Sequence, residues 1–372
     1  MINQIKKAFS SITDPRIDRA KKHSLVDILT ISTLATISGA DGWEHIEMFG
    51  KIKQKWLLKF LKLPNGIPSH DTIARVFSRI DPGEFQDAFL KRVQNIKINV
   101  KGKVIAIDGK ALRRSFDNAT GKSALHLVSA WATEANLVLC QCKVSEKSNE
   151  ITAIPKLLDF LDISGAIITI DAMGCQKNIA EKIRKEKADY VLALKKNHSE
   201  FHSEVQHLFA TGLKSSFRNM IHDVHECIDG GHGRIETRTC YCLNAMDWFP
   251  NNEEWKDMKT IAMVKSVVEN GSKQSEQTRY YISSLPLNAQ NLAKAVRQHW
   301  GIENSLHWVL DVTFREDESR VRKGNASENL AIIRRIALNI IKRKKPKGMS
   351  AKKALLAASW DTDFALQTLF GD

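Results

Sequence analysis

No stretch of this 372-residue chain is apolar for long enough to cross a bilayer as a helix. The nearest approach, residues 25–40, is interrupted by Asp27 and five Ser/Thr residues, and the first residues, MINQIKKAFSSITDPR, lack the continuous apolar core of a secretory signal. Cysteine is sparse: the six, at 140, 142, 175, 227, 240 and 242, are expected to be reduced thiols of a cytoplasmic protein. Four of them form C-x-C pairs inside strand-like runs, where alternate residues share a face, so they read as small buried hydrophobes. A zinc site joining His222, His225, Cys227 and His232 has the spacing H-x2-H-x-C-x4-H, which matches no standard finger. No self-similarity occurs at periods of about 20 to 50 residues, which excludes a solenoid.

Negative charge is also short. There are 42 acidic against 56 basic residues, a net +14 with a pI near 9.4, which points to a polyanionic partner. The excess is at the ends: residues 1–97 carry 16 basic and 10 acidic side chains, residues 315–353 carry 13 and 4, and the remainder is nearly neutral. That pattern suits a catalytic body flanked by elements that grip phosphates, with a solvated basic surface as the plainer alternative. With 26% charged and 43% hydrophobic residues the chain is not a disordered one, and its length corresponds to two or three domains at roughly 100 to 200 residues each.

Residues 1–98 read as an all-helical domain. A long amphipathic helix is predicted over 43–62, followed by the turn LPNGIP and a helix capped by Ser69 in which Ile73, Val76, Phe77 and Ile80 recur at helical spacing. Arg75 and Arg79 lie on the opposite face, as on a DNA recognition helix, though a helical bundle with solvated arginines explains them equally well. A third helix is predicted over 85–96. From residue 101 the texture changes to strands over 103–108, 124–132 and 136–144, a helix over 151–161, a strand over 166–171, a helix over 176–187 and a strand over 190–195. This succession predicts an α/β fold with a mixed sheet flanked by helices. The stretch 212–285 reads as an irregular, strand-rich insertion, helix returns from 289, and 346–372 reads as a C-terminal tail.

Two strands end alike. VIAID and IITID each run through four apolar or β-branched residues into an acid, Asp108 and Asp171, at the position where open α/β sheets hold ligands. Capping of the next turn is the alternative role for either alone. Phosphodiester chemistry wants a third hard oxygen donor, because two Mg²⁺ ions are held about 3.5 to 4 Å apart. Glu303, in RQHWGIENSLHWVLDV, is a candidate with His307 at i+4 on its face. Asp311, Glu316 and Asp317 are rivals that periodicity does not exclude.

The strings SHDTIARVFSRIDP, VIAIDGKALR, HLVSAWA, KSNEITAIPKLL, TIDAMGCQ, DYVLALKKNH, GHGRIETR, RQHWGIENSLHWVLDVTFREDESRVR and NASENLAIIRRIALNIIK occur in order between about residues 10 and 343. They resemble the H-repeat-associated insertion-sequence transposases, members of the DDE transposase superfamily. The resemblance implies an RNase H-like catalytic fold over 99–345, with a β-rich insertion at about 212–285 and a helical associated domain over 1–98. It also implies that Asp108, Asp171 and Glu303 are the three catalytic, metal-holding carboxylates, with the 132 residues from Asp171 to Glu303 leaving room for the insertion. The broader superfamily often shows Y-x2-R-x3-E-x6-K around its third carboxylate, whereas here Val296, His299 and Leu310 stand at the Tyr, Arg and Lys places.

The function that the resemblance implies is metal-dependent DNA cleavage and strand transfer without a protein nucleophile. Two Mg²⁺ ions, with Mn²⁺ as a substitute, are the expected cofactors. Water cleaves at the element end and the freed 3′ hydroxyl then attacks target DNA. Candidate DNA contacts are Arg75, Arg79, Lys110, Arg113, Lys195, Lys196, Arg297, His307, Arg320 and Arg322, and Trp248, Trp300 or Trp308 are candidates to stack on an unpaired base. The expected partners are double-stranded DNA, namely the terminal inverted repeats and the target, and a second copy of the chain, since two ends must be paired. The expected location is the cytoplasm of a bacterial cell, on the nucleoid when bound. A decayed transposase that only binds its ends, and an RNase H-like DNA nuclease without strand transfer, are the alternatives.

Overall fold

The computed structural model describes residues 2–365 except 19–20, 97, 117–120, 122, 146–148, 232 and 251–253. Six helices come first: α1 (Ile2–Phe9), α2 (Leu25–Ile37), α3 (Trp43–Ile52), α4 (Gln54–Leu57), α5 (His70–Arg79) and α6 (Pro82–Gln94). Their starts follow from side chains that accept orphan backbone N–H groups. Ser24 accepts from Asp27, Ser69 from Thr72, and Asp81 from Glu84 with Pro82 in the first turn. Helix α2 is buried almost throughout, and its hydroxyls survive there because Thr30, Ser32, Thr33 and Thr36 each donate to the carbonyl four residues back. The single helix expected over 43–62 instead breaks at Lys53, a re-aiming that leaves Trp56 and Leu57 in the core with the Trp56 ring edge-on to Phe49 and Phe60.

The sheet begins with β1 (Val104–Ala111), β2 (His126–Ala132) and β3 (Leu137–Lys143), an antiparallel meander. Helix α7 (Glu150–Asp159) then carries the chain to β4 (Ile167–Ile170), and α8 (Lys177–Lys185) to β5 (Asp189–Leu194), with β1, β4 and β5 parallel. These are the strands and crossovers predicted over 101–195, and they form the expected mixed sheet with helices on its faces. After α9 (Ser199–Lys214) come β6 (His222–Gly231), β7 (Arg234–Asn244), β8 (Thr260–Asn270) and β9 (Lys273–Ser283). Rather than forming an irregular excursion, these four strands continue the same sheet. β9 pairs antiparallel with β5, giving the nine-stranded order β3-β2-β1-β4-β5-β9-β8-β7-β6.

Helices α10 (Ala289–His299), α11 (Trp308–Val312), α12 (Ala326–Lys344) and α13 (Ala351–Trp360) complete the chain, with a π turn at Glu303–His307 leading into α11. α12 is the pin of the molecule: every residue from Ala326 to Ile341 is buried except Glu328, and its side chains tie off backbone on two sides. Asn329 Nδ2 donates to the Phe77 and Ile80 carbonyls at the end of α5, while Asn339 exchanges two hydrogen bonds with the backbone of Val138 on edge strand β3. The exposed N–H and C=O groups of a sheet edge are thereby covered at that point. One apolar cluster runs from Phe9 through the sheet to Ala365. The segment expected to be a tail carries α13, with Ala354, Leu355 and Ala358 buried in that cluster; residues 366–372 lie outside the described part.

Candidate active site

Strand β1 runs buried from Val104 to Ile107 and presents Asp108 just past its pairing with β4, within the stretch that stays paired with β2 to Ala111, where Asp108 faces Ser129. Asp171 directly follows the last residue of the neighbouring parallel strand β4. Its carboxylate accepts the backbone N–H groups of Met173 and Gly174 at 3.1 and 3.3 Å, so it caps the turn while lining the cleft. Glu303 opens the π turn, an irregularity that recurs at functional positions in helices. Asp108, Asp171, Glu303, Lys195 and Lys196 line one cleft of about 570 Å³, together with His299, Trp300 and Arg279.

His307 joins the acids. Its Nδ1 lies 3.5 Å from Asp108 Oδ2 and 3.5 Å from Glu303 Oε2, and its buried Nε2 has no partner among the described residues. Donor atoms of Asp108, Glu303 and His307 all fall within 4.8 Å of one another. Burial, then the charges of Glu303 and Asp171, push the Asp108 carboxyl up to about 8. Burial likewise raises Asp171, against the two backbone N–H groups it accepts. Glu303 is held below the ordinary carboxylate range, chiefly by its hydrogen bond to His307. Carboxylate pairs that disfavour each other's ionisation are what a cation would relieve, and oxygen donors with one imidazole suit Mg²⁺ or Mn²⁺. The residues present therefore fit the divalent ions that the DDE pattern implies.

A fourth carboxylate, Glu150, was not singled out from the sequence because an acid in the first turn of a helix reads as a partner of the helix dipole. It lies under β1: a Cβ at Gly109 would stand 2.0 Å from Glu150 Oε1, and its side chain meets His126 Nε2 at 2.8 Å. Glycine beside Asp108 is thus the residue that lets this carboxylate approach. His299 is fixed by Thr169, whose hydroxyl lies 3.0 Å from Nδ1, and burial lowers it to about 4, so it is neutral near pH 7.

Of the expected DNA contacts, Lys195 and Lys196 are exposed at the end of β5, on the cleft. Arg75, Arg79, Arg320 and Arg322 meet elsewhere, in a second cleft of about 1530 Å³ between α5 and the segment before α12, along with Arg114, Arg315 and Lys323. Arg113 is exposed and lies 3.3 Å from Asp317. Arg297 is exposed in a separate trough between α10 and strands β6–β9, 3.6 Å from Asp229. Two expectations are corrected. Lys110 is not turned toward solvent: its ammonium is buried, hydrogen-bonded to Asp311 and within 3.4 and 3.5 Å of Asp317 and Glu316. His307 is buried between Asp108 and Glu303 rather than presented to a DNA backbone. The rivals of Glu303, Asp311, Glu316 and Asp317, are those that hold Lys110.

The zinc grouping does not form among the described residues. On β6 the side chain of His222 points to the opposite face from His225 and Cys227, and its ring stacks on Phe217 at 5.0 Å; His232 lies outside the described part. Cys140, Cys240 and Cys242 are buried and all six cysteines are free thiols. The three tryptophans expected to stack on a base, Trp248, Trp300 and Trp308, all keep exposed surface, and Trp300 carries the Arg279 guanidinium 4.3 Å above its ring.

No helix among the described residues is long and apolar enough to cross a membrane. Residues 100–340 match the family described as the transposase DDE domain, and residues 6–92 match the family described as DDE_Tnp_1-associated. YhhI of Escherichia coli strain K12, which bears the name of an H repeat-associated transposase, is 41% identical over 375 residues, covering 100% of this chain and 98% of its own. YncI of Escherichia coli O157:H7, also named as a transposase, is 45% identical over 337 residues, or 90% of this chain and 86% of its own. Among solved structures, the piggyBac transposase synaptic complex with hairpin DNA aligns with a TM-score of 0.45 at 14% identity, covering 96% of this chain and 76% of that one. With both family matches in register with the helical and sheet-bearing parts, the chain belongs to the DDE transposases, alongside the H repeat-associated members.

Proposed function

We propose that this chain binds the ends of an insertion-sequence element as duplex DNA, cuts them and joins them to a target at the cleft of Asp108, Asp171 and Glu303. The observation that carries this reading is the meeting of three acids from separate elements, β1, the end of β4 and the π turn, with Lys195 and Lys196 on the same rim. Asp108, Asp171 and Glu303 would hold two divalent ions, and His307 orients the Glu303 carboxylate. Ions so held supply Lewis acidity at the scissile phosphodiester. Lys195 and Lys196 neutralise the backbone on either side of it. His299, neutral and tied to Thr169, keeps the end of α10 against β4 and adds no positive charge beside the carboxylates.

The helical region 1–98 serves as the end-recognition domain and 99–345 as the catalytic one. The second cleft, which α5 shares with the catalytic region, supports DNA binding by α5, since Arg75, Arg79, Arg114, Arg320 and Lys323 there have no ion-pair partner among the described residues and are free for phosphates. Two ends must be brought together, so the working unit is a homodimer on DNA.

The test is cleavage of a DNA fragment bearing the element's own termini, in Mg²⁺ or Mn²⁺, with the unaltered chain and Asp171→Asn. End-specific cutting that vanishes in the variant, by at least about 100-fold as for other groups acting at a transition state, supports the proposal. Equal cutting by both would remove Asp171 from the site. If neither cuts while both retard the fragment in a gel, the chain is an end-binding protein without activity.

A further inference from the structure

We infer that Lys110 is a positioning residue: its buried ion pair with Asp311 sets the spacing between β1 and the helix of Glu303, and so the separation of the Asp108 and Glu303 carboxylates. This rests on the reading of those two acids as the holders of a divalent ion.

The geometry is that of a ladder with two rungs. Asp108 and Lys110 are two residues apart on β1 and so point from the same face of the strand. His307 and Asp311 are four residues apart, at the end of the π turn and in α11, and so lie one above the other. Two residues of strand advance about 6.7 Å, and four residues of α-helix about 6 Å. The strand step and the helix step therefore match, and Asp108 meets His307 as Lys110 meets Asp311. The first rung is the metal cluster itself, since His307 also touches Glu303. The second rung is the only one of the two that a bound ion does not touch.

Burial and anchoring mark the second rung as more than a surface pair. Removing an ammonium from water is costly unless its partners are fixed, and Lys110 has three carboxylates around it on one side. One of them, Glu316, is wholly buried and bound at 2.8 Å by Arg335 of α12, which is wholly buried too. The far end of the rung is thereby attached to the helix that pins the whole molecule. A lysine meant for a phosphate would resemble Lys195, exposed at a strand end.

The probe is Mn²⁺ alone, titrated calorimetrically into the full chain, with melting temperature in chelator as the companion measurement. The variants are Asp311→Glu, which keeps the ion pair but lengthens it by one methylene, and the double change Lys110→Met/Asp311→Asn, which removes both charges of the pair and leaves Glu316 to Arg335 and Asp317 to Arg113. Groups that orient metal-holding side chains typically contribute about 10- to 100-fold in metal affinity. The expected result is a Mn²⁺ dissociation constant raised by about tenfold or more in the double variant and several-fold in Asp311→Glu, while the latter melts near the unaltered chain. An unchanged constant in Asp311→Glu, or in a folded double variant, overturns the inference. Asp108→Asn is the control that separates the two readings. If it binds Mn²⁺ as the unaltered chain does, the ion site is misassigned and the positioning role falls with it; if it loses binding while Asp311→Glu does not, the positioning role alone is wrong.

Discussion

At the scale of single residues, the site is governed first by the burial of its acids and then by their mutual repulsion. The Asp108 carboxyl is raised to about 8, above the ordinary range near 3.9 that it takes in an unfolded chain. The folded state thus binds a proton that the unfolded state releases, so this group's contribution to stability is intact below about pH 4 and is lost progressively as pH rises to about 8. Melting temperature recorded against pH in chelator should fall across that window, and Asp108→Asn should flatten the fall. Saturating Mn²⁺ should flatten it too, because a bound cation replaces the proton; a slope identical in all three conditions would show that Asp108 does not titrate there. How much of this was legible depends on the residue. Asp108 and Asp171 declare themselves as the first charged residues after buried apolar runs, whereas Glu303 does not, because the π turn interrupts the 3.6-residue period in which it would be recognised. Resemblance was needed to prefer it to Asp311. The inward turn of Lys110 was hidden because a charged residue near a strand end ordinarily reaches water, and only the partners brought from residues 311–317 reverse that.

At the scale of elements, α12 shows how a polar side chain can join two parts of a fold. Asn329 has no exposed surface and donates to two carbonyls at the end of α5, where helical partners run out. Asn329→Ala should lower stability by about 1 to 3 kcal/mol, the usual cost of leaving buried polar groups unsatisfied, read as a lower denaturation midpoint with unchanged slope. A midpoint within error of the unaltered chain would mean that the carbonyls find other partners. The predicted strands and crossovers between 101 and 195 were readable because each is a compact apolar run. The strand content of 212–285 was readable too, but not β6 or the joining of these strands to the same sheet: the half-buried places of β6 hold Asp223, His225 and Cys227 while Val224 and Ile228 are exposed, the reverse of the apolar alternation that identifies a one-sided strand, and the first six residues of β9 are exposed. The break at Lys53 has only Gly50, in the last turn of α3, as a mark in the sequence, and that glycine is also where Ile67 packs close.

At the scale of the whole molecule, the basic excess of the two chain ends converges, since the arginines of α5 and those at 320 and 322 line one cleft although some 245 residues separate Arg75 from Arg320. Each phosphate contact removed should lower the slope of log affinity against log salt by about 0.9. Arg75→Ala/Arg79→Ala should therefore lower it by nearly 2 on an end fragment, while an unchanged slope would take α5 off the DNA. The all-round burial of α12 has a further consequence for how such a chain is made. Neither the helical head nor the sheet can finish its core until residue 341 has left the ribosome. A message interrupted anywhere upstream leaves both parts without the helix that closes their shared core, so a single frameshift leaves neither complete.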